Sequence, residues 1–334
     1  MKVHKLIFIS SMMLGTLVTA SSYSWFSMWM GLEINLLSVI PLFSSTKNIY
    51  SSESAMKYFI TQAMASLILL AAVTMMLLVE EFINPQMNLL NLMMNSALMT
   101  KVGAAPFHYW FPEVIEGLSW TNSLILLTWQ KIAPMLMIMN NSPNNTFMIT
   151  VIVLSLTMST ISGFNQISLR KILAFSSINH IAWMLTSMMV SYSLWMIYFV
   201  VYSLINMNII FLFNSTNTFF MNQISNLINQ SKTIKLSFMV NFLSLGGLPP
   251  FIGFLPKWLI INWATNMEMF LLVIVLITTT LIMLFIYIRV MMTAMVMSTN
   301  EPKINIPMKN LTISTVNKIT MLSLTMCVLI PWFS

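Results

Sequence analysis

Eleven apolar runs, each about 20 residues long and nearly free of charge, dominate this sequence. They fall near 3–21, 25–45, 55–79, 88–105, 121–140, 147–164, 172–190, 193–213, 236–256, 268–290 and 316–333. A run of that length matches the hydrocarbon thickness of a bilayer. There every backbone polar group must be bonded within the protein, so closely spaced runs read as helices. The expected fold class is therefore an all-α polytopic membrane protein with about 11 transmembrane helices. Composition agrees: 58% of the 334 residues are hydrophobic and 7% are charged, which excludes a soluble globular or disordered class. The N-terminal run follows Met1-Lys2-Val3-His4-Lys5. It reads as the first span and not a signal peptide, because further spans follow in place of a soluble domain.

Two of these runs carry breaks. Lys101-Val-Gly-Ala-Ala-Pro106-Phe-His-Tyr-Trp-Phe-Pro112-Glu113 places a lysine, a glycine and two prolines inside apolar sequence. Proline removes a backbone donor and clashes with the preceding turn, so the fourth helix should break near Pro106 and continue over 107–120. A shift of 144 residues lays Gly103 on Gly247, Pro106 on Pro250, Phe107 on Phe251 and Pro112 on Pro256. The ninth helix should break in the same way at Pro249 and Pro250 and continue over 251–264. Such recurrence predicts an internal repeat, and paired broken helices point to a transporter with ion sites at the breaks. A bundle with two structural proline kinks is the plainer alternative.

The charges left inside the runs are few: Glu33 in the second, Lys101 in the fourth, Lys131 in the fifth, His180 in the seventh, and Lys257 just past the second break. An isolated charge at membrane depth costs several kcal/mol, so each needs a partner or water. Burial and a neighbouring opposite charge act in opposition on proton affinity, and groups balanced between them can exchange protons near neutral pH. Each also has a structural reading. Glu33 and Lys101 could be a static ion pair, Lys131 could snorkel, His180 could be a hydrogen-bonded interior histidine, and Lys257 could lie at the interface. Glu113 and Glu116 read as surface charges, and Glu53, Lys57 and Glu268 as helix-end charges. Basic residues set the orientation. Lys47, Arg170 with Lys171, Lys232 with Lys235, and Lys303 with Lys309 alternate with loops that carry Glu80-Glu81 or no charge. Together with Lys2 and Lys5 they predict an N-terminus on the side of synthesis.

Redox and nucleotide chemistry have little footing. Cys327 stands alone, His4, His108 and His180 lie far apart, and the eight glycines form no phosphate-binding loop. The net charge of +7 sits in short loops, which is no nucleic-acid footprint. The 35 methionines and the tryptophans near run ends read as packing and lipid-facing residues.

Several motifs carry a family resemblance: Trp29-Met-Gly-Leu-Glu33-Ile-Asn35, Lys101 to His108, Trp129-Gln-Lys131-Ile-Ala-Pro134, Ser176-Ser-Ile-Asn-His180, and Gly246-Gly-Leu-Pro-Pro-Phe251. Over essentially its whole length the chain resembles the antiporter-like membrane subunits of the mitochondrial NADH:ubiquinone oxidoreductase, respiratory complex I. The methionine usage is similar to that of an invertebrate mitochondrial genome. The resemblance implies two inverted five-helix repeats within one antiporter-like domain spanning 1–334. The first repeat would cover 1–140, the second 147–297, and a final helix 316–333. It implies a proton relay through Glu33, Lys101, Lys131, His180 and Lys257, although Asn179 and Ala182 depart from the family pattern around the histidine. It further implies no cofactor on this chain. Flavin, iron–sulfur clusters and ubiquinone would lie on partner subunits, with other membrane-arm subunits and inner-membrane lipids such as cardiolipin as neighbours. The location implied is the mitochondrial inner membrane, with the N-terminus on the matrix side. A stand-alone cation/proton antiporter and a purely structural assembly subunit are the competing functions.

Overall fold

The computed structural model describes residues 3–45, 48–79, 87–141, 144–224 and 232–296. The final helix expected over 316–333 lies outside the described residues, as do Lys2, Lys47, Glu80, Glu81, Lys303, Lys309 and Cys327. All regular structure among the described residues is helical, apart from one isolated bridge between Ser168 and Phe220. The helices are α1 (Val3–Ser21), α2 (Trp25–Phe43), α3 (Ile49–Val79), α4 (Met87–Val102), α5 (Trp110–Gly117), α6 (Trp120–Leu127), α7 (Trp129–Asn140), α8 (Asn145–Phe164), α9 (Leu169–Val190), α10 (Tyr192–Thr216), α11 (Lys232–Gly246), α12 (Phe254–Asn266) and α13 (Phe270–Val296). Among them, seven (α1, α2, α3, α8, α9, α10 and α13) are long and apolar enough to cross a membrane. The other six are shorter pieces of interrupted apolar runs.

The interruptions differ in part from expectation. The fourth and ninth runs do not end at their prolines. They end at Val102 and Gly246, three residues or more ahead of Pro106 and Pro249. The glycine in each repeat motif causes this: Gly103 has φ +82° and Gly247 φ +74°, which only a residue without Cβ adopts freely. Each glycine closes its helix in the same pattern. The amides of Gly103 and Ala104 bond to Met99 O, and those of Gly247 and Leu248 bond to Leu243 O. The peptides entering Pro106 and Pro250 are cis.

The fifth run, expected as one helix over 121–140, is also broken, at Thr128 between α6 and α7. Pro134 has no amide for the Gln130 carbonyl, and the Thr128 hydroxyl bonds back to Leu124 O at 2.7 Å. The Lys131 amide turns to Thr128 O at 3.3 Å, one residue nearer than an α-helix requires.

The chain divides into two compact units, Met1–Leu154 and Ser155–Ser334. In the first, α1 and α2 make the closest helix pair. A Cβ on Gly15 would lie 2.9 Å from Asn35 N and from Gly31 O, and one on Gly31 would lie 2.6 Å from Thr19 Cγ2. The two backbones therefore touch, the arrangement that small residues permit when no hydrophobic drive separates helix from lipid. Against these, α3 packs on α4, α2 and α5, and α7 packs on α4 and α6. In the second unit α9 is the interior helix. Seventeen of its 22 residues are buried, Ser176, Ser177, Asn179 and His180 among them. The serines bond to carbonyls of their own helix, Leu173 O at 2.8 Å and Ala174 O at 2.7 Å, so their burial leaves no orphan hydroxyl. Around α9 stand α10, α12 and α13, with α11 against α10 and α13.

Gly15→Val should force α1 and α2 apart and cost about 1–3 kcal/mol through overpacking. Leu14→Val, on the 60% exposed face, should cost far less. Thermal unfolding of the detergent-solubilised chain compares the two.

Candidate functional site: buried lysines beside helix breaks

Each break brings a lysine into the protein interior. Lys101 occupies the last turn of α4 and is 6% exposed, Lys131 the first turn of α7 at 1%, and Lys257 the first turn of α12 at 6%. Charged side chains this deeply buried are rare unless something offsets the lost hydration.

In the first unit, Lys101 lines a cavity of ≈ 20 Å³ with Leu32, Asn35, Leu36, Tyr58, Gln62, Gln130 and Pro134. That is room for one water. The polar walls are themselves ordered. The Tyr58 hydroxyl donates to Gln130 Oε1 at 3.2 Å, and Gln130 Nε2 donates to Asn35 Oδ1 at 3.1 Å. Oxygens of Asn35, Gln130 and Tyr58 therefore stand at the cavity with accepting capacity left. Gln62 Nε2 donates to the Lys101 carbonyl at 3.5 Å. Glu33 lies within electrostatic reach of Lys101. No direct ion pair joins the two, and Glu33 Oε1 is buried without a hydrogen-bond partner among the described residues. Lys131, one residue beyond Gln130, places its ammonium 5.5 Å from the centre of the Phe111 ring.

In the second unit, His180 Nδ1 lies 2.8 Å from the Tyr198 hydroxyl, and its ring centre is 5.1 Å from that of Tyr202. Lys257 reaches back across its break. Its Nζ donates to Leu245 O and Gly246 O, both at 3.1 Å, and sits 5.7 Å from the centre of the Trp183 ring. It is buried within the protein, at 6% exposure. Asn241 is 1% exposed, with both side-chain polar atoms unpartnered among the described residues.

Elsewhere Lys57 bridges Glu53 and Glu113, each at 3.1 Å, with all three side chains largely exposed. His108 is 3% exposed and stacks on Tyr109 with 4.5 Å between ring centres. Among the described residues no group of three His, Cys, Asp or Glu side chains could hold a metal ion.

Sequence reasoning had not singled out Tyr58, Gln62, Tyr198, Tyr202 or Asn241. Asn35 and Gln130 stood inside quoted motifs without a role of their own. A lone tyrosine or amide in an apolar run carries no periodic signal, and its partners sit 72 and 95 residues away.

Interrupted helices with ionisable groups beside the breaks are a construction common to ion-transporting membrane proteins. Residues 22–283 match the family described as NADH:quinone oxidoreductase/Mrp antiporter, TM. A protein of Anopheles gambiae named NADH-ubiquinone oxidoreductase chain 2 is 50% identical over 293 residues, 86% of this chain and 85% of that one. Its namesake in Locusta migratoria is 44% identical over 297 residues, 89% of this chain and 87% of that one. Among solved structures, a chain of respiratory complex I from Thermus thermophilus with bound aureothin superposes with a TM-score of 0.88 at 21% identity, over 98% of this chain and 78% of that chain. The chain belongs to the NADH:quinone oxidoreductase/Mrp antiporter family, among its NADH-ubiquinone oxidoreductase chain 2 members.

Gln130→Leu should strand both Tyr58 and Asn35. Leaving each buried group unpaired costs about 1–3 kcal/mol. The fall in thermal unfolding midpoint should exceed that of Tyr58→Phe, which removes a single donor.

Proposed function

We propose that this chain supplies a proton path in the membrane arm of the proton-pumping NADH:ubiquinone oxidoreductase. It is a membrane subunit of that enzyme, and the reaction's chemistry lies on other subunits. The single observation that carries the proton-path reading is the burial of Lys101, Lys131 and Lys257, each within four residues of a helix end at a break. Burying three ammonium groups in an apolar body is costly, and that cost supports a role beyond packing. At a break they stand where backbone carbonyls and water can exchange as partners.

Each residue is assigned a step in the proposal. Glu33 acts on Lys101 through space, so a change in their separation changes how firmly Lys101 holds its proton. The cavity beside Lys101 offers a water-sized acceptor site walled by Asn35, Gln130 and Tyr58. Lys131 relays the proton along the membrane mid-plane, with His180 bridging towards Lys257 as the exit or coupling group. Flavin, iron–sulfur clusters and ubiquinone reside on partner subunits and supply the redox energy.

The wider arrangement belongs to the same proposal. Eleven helices would form two inverted five-helix repeats plus a final helix over 316–333. The matching amide bonds at Gly103 and Gly247 support this reading. The chain would lie in the mitochondrial inner membrane with its N-terminus towards the matrix, beside other antiporter-like subunits and lipids such as cardiolipin.

Lys101→Met or Lys131→Met in the assembled complex, reconstituted in vesicles, should leave NADH oxidation measurable and lower the protons moved per NADH. An unchanged ratio in both variants would remove the relay.

A further inference from the structure

We infer that the C-terminal end of α11 is the binding site for the Lys257 ammonium, and that Gly247 is the residue that positions it there. The last carbonyls of a helix lack intrahelical partners and form the negative end of its dipole. Lys257 Nζ donates to two of them, Leu245 O and Gly246 O, each at 3.1 Å. The Trp183 ring completes the cation's surroundings. Among the described residues of this unit the one carboxylate is Glu268, exposed and eleven residues further along. The helix end thus stands in for the counter-charge that Glu33 offers Lys101 in the first unit.

The two breaks share a backbone pattern but are capped by different chemistry. At the first, neutral donors take carbonyls of the last turn: Gln62 Nε2 bonds to Lys101 O, the counterpart of Leu245 O, at 3.5 Å, and Trp110 Nε1 bonds to the neighbouring Thr100 O at 3.1 Å. Residue 113, which the 144-residue shift lays on Lys257, is a glutamate turned to Lys57. At the second break an ionisable donor does the capping. Its path requires an empty Cβ position. A Cβ on Gly247 would fall 2.7 Å from Lys257 Cδ and 2.9 Å from its Nζ. The lysine tip is the movable partner, so a side chain there would evict it. The atoms nearest a Cβ on Gly103 would be those of the Phe111 and Trp110 side chains, no closer than 3.3 Å.

The consequence for pumping rests on the relay reading above. With its proton, Lys257 is a cation with three donors and holds the last turn of α11; without it, the cation and one donor are gone and the cap weakens. The order of the second break would then report whether Lys257 is charged.

Hydrogen exchange on the intact complex tests the site. Lys257→Met keeps the apolar stem and removes the donors. It should speed exchange in the segment 243–251 by about tenfold or more, while Lys101→Met should leave 99–107 within about twofold, because the Lys101 ammonium caps no carbonyl among the described residues. Unchanged exchange at 243–251 overturns the binding site. If Lys257→Met fails to assemble, Gly247→Ala and Gly103→Ala serve as a matched pair, both at positive φ. Gly247→Ala should loosen its break several-fold more than Gly103→Ala, with the Lys257 ammonium displaced from Leu245 and Gly246 in a cryo-electron microscopy map. Equal loosening, or an undisplaced lysine, overturns the role of Gly247. A Lys257→Met complex with accelerated exchange but normal proton pumping supports the site and removes Lys257 from the relay.

Discussion

Backbone polar groups cannot be left unpaired at membrane depth, and the rest of this structure depends on how that constraint is met. Unbroken helices satisfy it internally, and seven helices of the described chain are long and apolar enough to cross a membrane in this way. Where a helix stops, its terminal carbonyls must find other donors. At Val102 and Gly246 the chain first turns back on itself through a positive-φ glycine. It then brings in side chains from a distance: an indole and an amide at one end, an ammonium at the other.

That requirement explains why the charges sit where they do. A lysine in the middle of an intact apolar helix would meet only methylene groups and a saturated backbone. Beside a break it meets carbonyls, a ring face or a cavity with polar walls. The third break, at Thr128, follows the same logic, for Lys131 lies in the turn whose hydrogen bonds it disturbs. Tyr58, Gln130 and Asn35 form a directed chain in which each polar atom restrains the next, so the wall of the Lys101 cavity is held in one arrangement.

The apolar runs, the prolines of two breaks and the glycine ahead of each were all legible in the sequence. The stopping points were not. Proline is the stronger local signal, but Gly103 and Gly247 end the helices three residues earlier, because a left-handed turn there closes two carbonyl bonds at once. The break at Thr128 was missed because a threonine in a helical run marks a bend only when its hydroxyl turns to its own backbone. Lys257 read as a residue of uncertain depth, since its position past a proline does not say which way four methylenes will point.

The sequence by itself determined a helical membrane protein, two of the runs that must be interrupted, and which few ionisable residues lie in apolar surroundings. Those follow from run length, proline chemistry and the cost of burying charge, all of which are local. Only the tertiary structure decided the partners: carbonyls across a break for Lys257, a water-sized cavity for Lys101, and Tyr198 for His180. Partnership depends on side-chain direction and on helices far apart in sequence meeting at one depth, and no residue pattern along a single chain encodes that.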